Sequence, residues 1–266
     1  MAVIAYSMSS PTHAGPGEPA PSQPPRPRKQ RYSVNVKRVR RLTPHMLRVT
    51  FGGEELGRFA WNGPAAHIKL FFGEPPVTRT YTPRRFDRDT GELDVDFVLH
   101  GAGPASTWAE QAAPGQSLLL AGPGRHYELE PSARWYVLAG DDSAIPAIST
   151  ILEARPAAAR AIVLLEVPDA GEEQALPNAN PADTYWLTRG PDPARAGAEL
   201  ESALRRLAFP DGPGRVYVAC EADAMRRIRR HLLTERGFAR TDIVTRGYWK
   251  LGATDHPDRD YGEDVG

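Results

Sequence analysis

The sequence predicts a two-domain chain, an antiparallel β-barrel followed by an α/β domain built on a parallel sheet. Two observations carry this. From Arg31 to about Pro131, apolar and polar residues alternate in short runs separated by Gly, Pro and Asp turn signals, the pattern of half-buried strands. After Ser132 the apolar runs become nearly continuous and alternate with helix-period stretches, as in sheets covered on both faces.

Residues 1–30 are dense in proline (Pro11, Pro16, Pro19, Pro21, Pro24, Pro25, Pro27) and poor in apolar surface, so they are expected to be a disordered extension. The barrel domain spans 31–132. Its strands are YSVNVKRV, HMLRVTF, HIKLFF, VTRTYT, ELDVDFVLH and SLLLAG. One helix, GPASTWAEQA, places Trp108, Ala109 and Ala112 on a buried face. The α/β domain spans 133–252, with strands WYVLAG, AIVLLEV, TYWLTRG and VYVACE. Its helices are IPAISTILEA, GAELESALRRLAF and DAMRRIRRHLLTERG, the last closed by Gly237 as a C-cap. The stretch 253–266 is acidic (Asp255, Asp258, Asp260, Glu263, Asp264) and expected to be a mobile tail.

Composition narrows the function. With 266 residues, 41% hydrophobic and 25% charged, the chain has the makeup of a soluble globular protein with room for two cores. A formal net charge of zero gives no global pull toward nucleic acid or an anionic membrane, and no apolar run approaches the roughly 20 residues of a membrane span. The N-terminus lacks the apolar core of an export signal. A single cysteine excludes a disulfide framework, a four-thiolate iron–sulfur site and zinc-ribbon spacing, and points to a reducing, cytoplasmic setting. Redox chemistry would then need an organic cofactor. Cys220 reads as a small core residue. The basic run Arg226, Arg227, Arg229, Arg230, His231 reads as the solvated face of a helix, and His45, His67 and His126 lack metal-ligand spacing.

Three segments have the makings of a binding site. In Arg79-Thr80-Tyr81-Thr82-Pro83-Arg84, strand alternation puts Arg79 and Tyr81 on one face; an arginine fork suits a pyrophosphate, and a nearby ring can lie along a flat heterocycle. An ordinary surface strand is the alternative. In His100-Gly101-Ala102-Gly103-Pro104-Ala105-Ser106, glycines precede a helix start, an arrangement that binds phosphate or simply caps a helix. Gly140-Asp141-Asp142-Ser143-Ala144-Ile145-Pro146 follows the first α/β strand, beyond whose carboxyl end ligands bind; its aspartates also suit helix capping.

Together with AGPG, LLEVPD, ACEADAMRRIRRHL and the terminal GYWKLG, these segments resemble the siderophore-interacting proteins, a branch of the ferredoxin-reductase-like flavoenzymes. The resemblance runs from about Arg31 to Gly252. It departs at Asp142 and Ser143, where the family pattern has Glu and Thr.

What the resemblance implies is an FAD-binding barrel, an NAD(P)H-binding α/β domain and reduction of ferric siderophores. Arg79, Tyr81 and Thr82 would hold FAD. His100, Gly101, Gly103, Ala105 and Ser106 would cover its phosphates. Asp141, Asp142, Ser143, Ala144 and Pro146, with Glu221 and Ala222, would border the nicotinamide. The flavin would do the chemistry, with no catalytic side chain and no protein metal site. Ferric siderophores are often anionic, and Lys69 is the leading docking cation by resemblance, with Arg125 and Lys250 behind it. NADH and NADPH both stay open: Glu166 and Asp169 would repel a 2′-phosphate, whereas Arg189 would bind one. A monomer without nucleic-acid or membrane partners is expected. The alternatives are a flavin enzyme with another acceptor and a non-catalytic siderophore carrier. Residues 1–30 should be dispensable: a chain starting at Gln30 is expected to keep its melting temperature and turnover, and a large loss in either would show that the extension docks on the folded body.

Overall fold

The computed structural model describes residues 30–101, 103–257 and 260–262; most of the Pro-rich extension, Asp258, Glu263 and Asp264 lie outside the described residues. The first half is a seven-stranded antiparallel sheet of β1 (Arg31–Thr43), β2 (Met46–Gly52), β3 (Ile68–Phe72), β4 (Val77–Tyr81), β5 (Pro83–Asp87), β6 (Glu92–Val98) and β7 (Ser117–Ala121). Its order is β4-β3-β7-β1-β2-β6-β5. The two end strands, β4 and β5, are consecutive in the chain with Thr82 alone between them. At 3.8 Å per residue the opposite ends of the sheet therefore lie within about 8 Å of each other, and the sheet must roll up. The result is a barrel with a seam at Thr82.

Alternation sends Tyr32, Val34 and Val36 of β1 and Ile68, Leu70 and Phe72 of β3 inward, all buried. Helix α1 (Pro104–Glu110) closes the barrel with Trp108, stacked on Phe51 at 6.1 Å between ring centroids and leaning on Phe72 and Phe97.

The second half is a parallel sheet in the order β10-β9-β8-β11-β12, from β8 (Trp135–Asp141), β9 (Arg160–Val167), β10 (Thr184–Thr188), β11 (Gly214–Glu221) and β12 (Ile243–Trp249). All seven residues of β8 are buried. Helices α2 (Ile145–Ala154), α3 (Ala198–Arg206) and α4 (Ala222–Arg230) connect the strands, and α4 runs on into a π turn at His231–Glu235. Gly140 lets the chain turn tightly off β8: a Cβ there would lie 2.5 Å from Ala144 Cβ and 2.7 Å from the Ala219 carbonyl. The chain leaves β8 toward β9 on one side and returns to β11 on the other, so the crevice beyond β8 and β11 is the switch point where such sheets hold ligands. The barrel and the parallel sheet are as the sequence predicts; β5 and β12 are strands it did not reveal.

Polar contacts, buried at Glu172 and Thr150 and half-exposed at Arg84–Glu153, fix the halves to each other. Glu172, 2% exposed, accepts hydrogen bonds from the Thr43 hydroxyl and, at 2.9 Å, from the His45 amide, and it pairs with His45 Nδ1. Arg84 of β5 grips Glu153 of α2 with two hydrogen bonds of 3.1 and 2.9 Å. Thr150 Oγ1 accepts from the Ala65 amide at 2.9 Å.

The acidic stretch expected to be mobile is packed in its described part. Asp260 accepts from Arg226 at 2.6 Å and pairs with His256 at 2.9 Å, while its carbonyl accepts the Gly247 amide at 2.9 Å. Gly247 makes room for this, since a Cβ would meet Asp260 Oδ2 at 2.7 Å. Removing Glu172 would strand its donors inside the domain interface. Glu172→Ala is expected to cost about 1–3 kcal/mol in denaturant unfolding, and Arg84→Ala, whose partner is 43% exposed, about 1 kcal/mol or less.

Candidate functional site

The barrel seam supplies the first wall. Pairing of β3 with β4 sets Leu70 opposite Arg79, Ile68 opposite Tyr81 and Lys69 opposite Thr80. Arg79 and Tyr81 thus share the face of the buried Leu70 and Ile68, whereas Lys69 leaves on the other face. Tyr81 lies against Phe97, with centroids 4.5 Å apart, and burial pushes its phenol pKa up. Arg79 donates to the carbonyls of Thr78 at 2.9 Å and Thr254 at 2.7 Å, and stands 3.8 Å from the Asp255 carboxylate. Thr82 lies close enough to Tyr248 of β12 to act on its phenol, and the Tyr248 hydroxyl is 2.8 Å from that of Tyr217. The seam therefore faces the carboxyl end of the parallel sheet.

At the start of α1, Gly101 and Gly103 have φ of 71° and 85°, a left-handed backbone that glycine permits. Ser106 is buried and its hydroxyl accepts the His100 amide at 3.1 Å, closing the loop. Ala105 packs into the barrel core. His100 and the two glycines are exposed, so the face this turn offers a ligand is mostly backbone.

At the switch point the carboxylates are spent on protein donors. Asp141, 1% exposed, accepts four hydrogen bonds: from the Ser143 amide (3.0 Å) and hydroxyl (2.5 Å), the Glu221 amide (3.1 Å) and Trp249 Nε1 (2.8 Å). Burial, and then the neighbouring Asp142, raise its pKa to about 7. Asp142 pairs with Arg189 at 3.1 Å. Glu166 is fully buried and accepts the amides of Gly197, Glu199 and Leu200 at the start of α3. Glu221 accepts those of Asp223 and Ala224 at the start of α4, and of Leu251. Asp169 caps a short turn at Gly171. Ala144, Pro146 and Ala222 are buried, leaving Ser143 as the half-exposed residue of its loop. Glu166 and Arg189, read as discriminating a 2′-phosphate, thus have protein partners instead. Lys250 donates to Asp223 at 3.2 Å.

A feature the sequence reading missed lies at the outer edge of β12. A cavity of about 300 Å³ is lined by Arg125, Arg229, Arg240, Arg246, Thr245 and Tyr261. Arg229, read as part of a solvated helix face, is 8% exposed and donates to Thr245 Oγ1 at 3.2 Å. The clue available in the sequence was the alternating run IVTRGYW, which is β12. Cys220 is fully buried, and burial pushes its thiol pKa far up, as befits a core residue.

Residues 133–252 match the family described as siderophore-interacting protein, and residues 35–78 and 73–127 match the siderophore-interacting FAD-binding domain. The chain is 35% identical over 243 residues to the ferric vibriobactin reductase ViuB of Vibrio cholerae, covering 82% of this chain and 89% of that one. A siderophore utilization protein from T. fusca superposes with a TM-score of 0.79 at 35% identity, over 86% of this chain and 96% of its own. The architecture alone is shared with a ferredoxin NADP+ reductase from Neisseria gonorrhoeae, at a TM-score of 0.58 and 17% identity over 82% of this chain and 99% of that one.

Asp141 generates a pH prediction. Its folded pKa of about 7 exceeds the ordinary 3.8, so the folded state binds the extra proton between those values, and this group's contribution to stability falls as pH rises through that window. Protonation must also displace one of the four donors. Tryptophan fluorescence is expected to show a transition near pH 7 that Trp249→Phe removes; an unchanged transition in that variant would place its origin elsewhere.

Proposed function

The chain belongs to the siderophore-interacting protein family, and from that premise we propose that it is an FAD-dependent reductase that passes electrons from NADH or NADPH to ferric siderophores, releasing Fe(II) in the cytoplasm. The observation that carries this reading is the setting of Arg79. A guanidinium at the barrel seam, beside the Tyr81–Thr82 pair, is met by a carbonyl and a carboxylate from the C-terminal segment. A phosphate could take the place of those oxygens. The left-handed Gly101 and Gly103 turn offers backbone for a second approach, so the residues fit FAD.

Arg79 would hold the pyrophosphate by a bidentate fork, displacing Thr254 and Asp255. Tyr81 would lie along the isoalloxazine and Thr82, beside Tyr248, would reach its edge. Ser143, with the backbone at the start of α2, would border the nicotinamide. Bound in this site, FAD would supply the conversion between two-electron hydride uptake and one-electron delivery to ferric iron, two ferric ions being reduced per hydride. Hard oxygen ligands hold the resulting Fe(II) less well than Fe(III), so reduction loosens the metal.

For substrate, the arginine cavity along β12 would be the docking site. Its cations flank the strand whose end carries Tyr248 and, through it, the Thr82 seam. His67, the residue before β3, has Nδ1 3.1 Å from the Arg125 carbonyl, and Lys69 follows two residues on, so Lys69 would approach the same rim.

Anaerobic trapping of Fe(II) with ferric siderophore, ferricyanide and free flavin as acceptors tests the reading. Turnover of ferricyanide or flavin without ferric siderophore would make this a flavin enzyme with another acceptor, and a colourless purified protein would make it a carrier. Arg79→Ala is expected to weaken FAD binding by about 1.5–3 kcal/mol, the worth of a charged hydrogen bond, measured by flavin fluorescence. Lys69→Glu and Arg125→Glu are expected to raise KM for anionic ferric siderophores, less so at high salt, while FAD content and ferricyanide turnover hold steady.

A further inference from the structure

The arginine cavity has one wall that is not cationic. Arg246 lies over the ring of Tyr261 at 4.4 Å, and its Nη1 donates to the Thr245 carbonyl at 3.0 Å. Tyr261 belongs to the acidic stretch beyond Gly252, yet it is held as a core residue would be. Its carbonyl accepts Thr245 Oγ1 at 2.5 Å. The preceding Asp260 is fastened by Arg226, His256 and the Gly247 amide. The following Gly262 is buried so closely that a Cβ would lie 2.7 Å from Met225 Sδ. The ring is thus a built part of the wall, and it holds the Arg246 guanidinium in one orientation.

Size decides what the cavity can take. At about 300 Å³ it stands at the lower limit of small-molecule sites, roughly 300–1,000 Å³, so it seats one arm of a chelate with the remainder outside. Four arginines favour an arm that carries negative charge, and a guanidinium backed by an aromatic ring favours a planar one. We propose that Tyr261 is a specificity-determining residue of the substrate site, locking Arg246 so that the cavity selects an anionic aromatic arm, an iron(III) catecholate, over an aliphatic hydroxamate. This rests on the reading that ferric siderophores dock at this cavity.

The test uses the full-length, FAD-loaded protein and three acceptors: the iron(III) complex of a tris-catecholate, the iron(III) complex of a trihydroxamate, and ferricyanide. Tyr261→Ala is expected to raise KM for the tris-catecholate about 3- to 30-fold, the factor that a cation–π contact is worth. KM for the trihydroxamate and kcat with ferricyanide stay within about twofold, and Tyr261→Phe, which keeps the ring, restores the wild-type preference. Quenching of tryptophan fluorescence by each iron complex gives the same ranking as dissociation constants, independent of turnover. Unchanged tris-catecholate binding in Tyr261→Ala, with Arg246→Ala impaired, overturns the role of Tyr261 and leaves the docking reading standing. Unchanged binding in both variants overturns the docking reading as well. An equal loss for both chelates, or a fall in FAD content, makes Tyr261 a structural residue and overturns its part in selection.

Discussion

A single buried carboxylate organises the crevice. Asp141 ends the central strand β8, and its four donors come from its own loop, from the end of β11 and from the end of β12. An acceptor-only group is what such a site requires, because an amide would turn an N–H toward other N–H groups. The knot brings Trp249 to the switch point and so fixes the end of β12, on which Tyr248 and Arg246 also depend for position. Glu166 and Glu221 repeat the device, each filling the start of a helix with its own carboxylate. The starts of α3 and α4, which elsewhere could wait for a phosphate, are here already satisfied, so the proposed phosphate contacts fall to the glycine turn before α1 and to Arg79.

The two halves hold their relative placement through buried polar contacts more than through charge at the surface. Glu172 is the strongest of these, since a carboxylate almost wholly removed from water must keep its donors. Arg84 and Glu153 add a planar fork between β5 and α2. Because β5 follows the seam directly, the clamp also orients Thr82 toward Tyr248. Interface and site share one short segment of chain.

Much of this was legible in the sequence. Helix α2 was read from its apolar spacing with the bounds it has, and β8 and β9 announced themselves by continuous apolar runs, as buried parallel strands do. Strand β5 was hidden because PRRFD opens with proline and carries three charges, the composition of an exposed edge. Strand β12 lies at the other sheet's edge, where half-solvated residues dilute the apolar signal. Without β12 the arginines around it have nothing to converge on, and Arg229 reads as surface. The seam motif was found because alternation alone places Arg79 with Tyr81. The partners of Asp141 and Glu166 were out of reach, being set by which strand ends meet in space.

The backbone bond from Gly247 to Asp260 bears on more than the cavity wall. Strand β12 pairs with β11 on one side and would otherwise present a row of open amides and carbonyls on the other. Such a row is a template for strands of neighbouring molecules. The segment that returns along it is short, charged and tied down by side chains, so it covers the edge without extending the sheet. A chain cut at Gly252 would therefore lose its guard against self-association along with Tyr261, and its solubility and shelf life would report on the integrity of the same residues that shape the pocket.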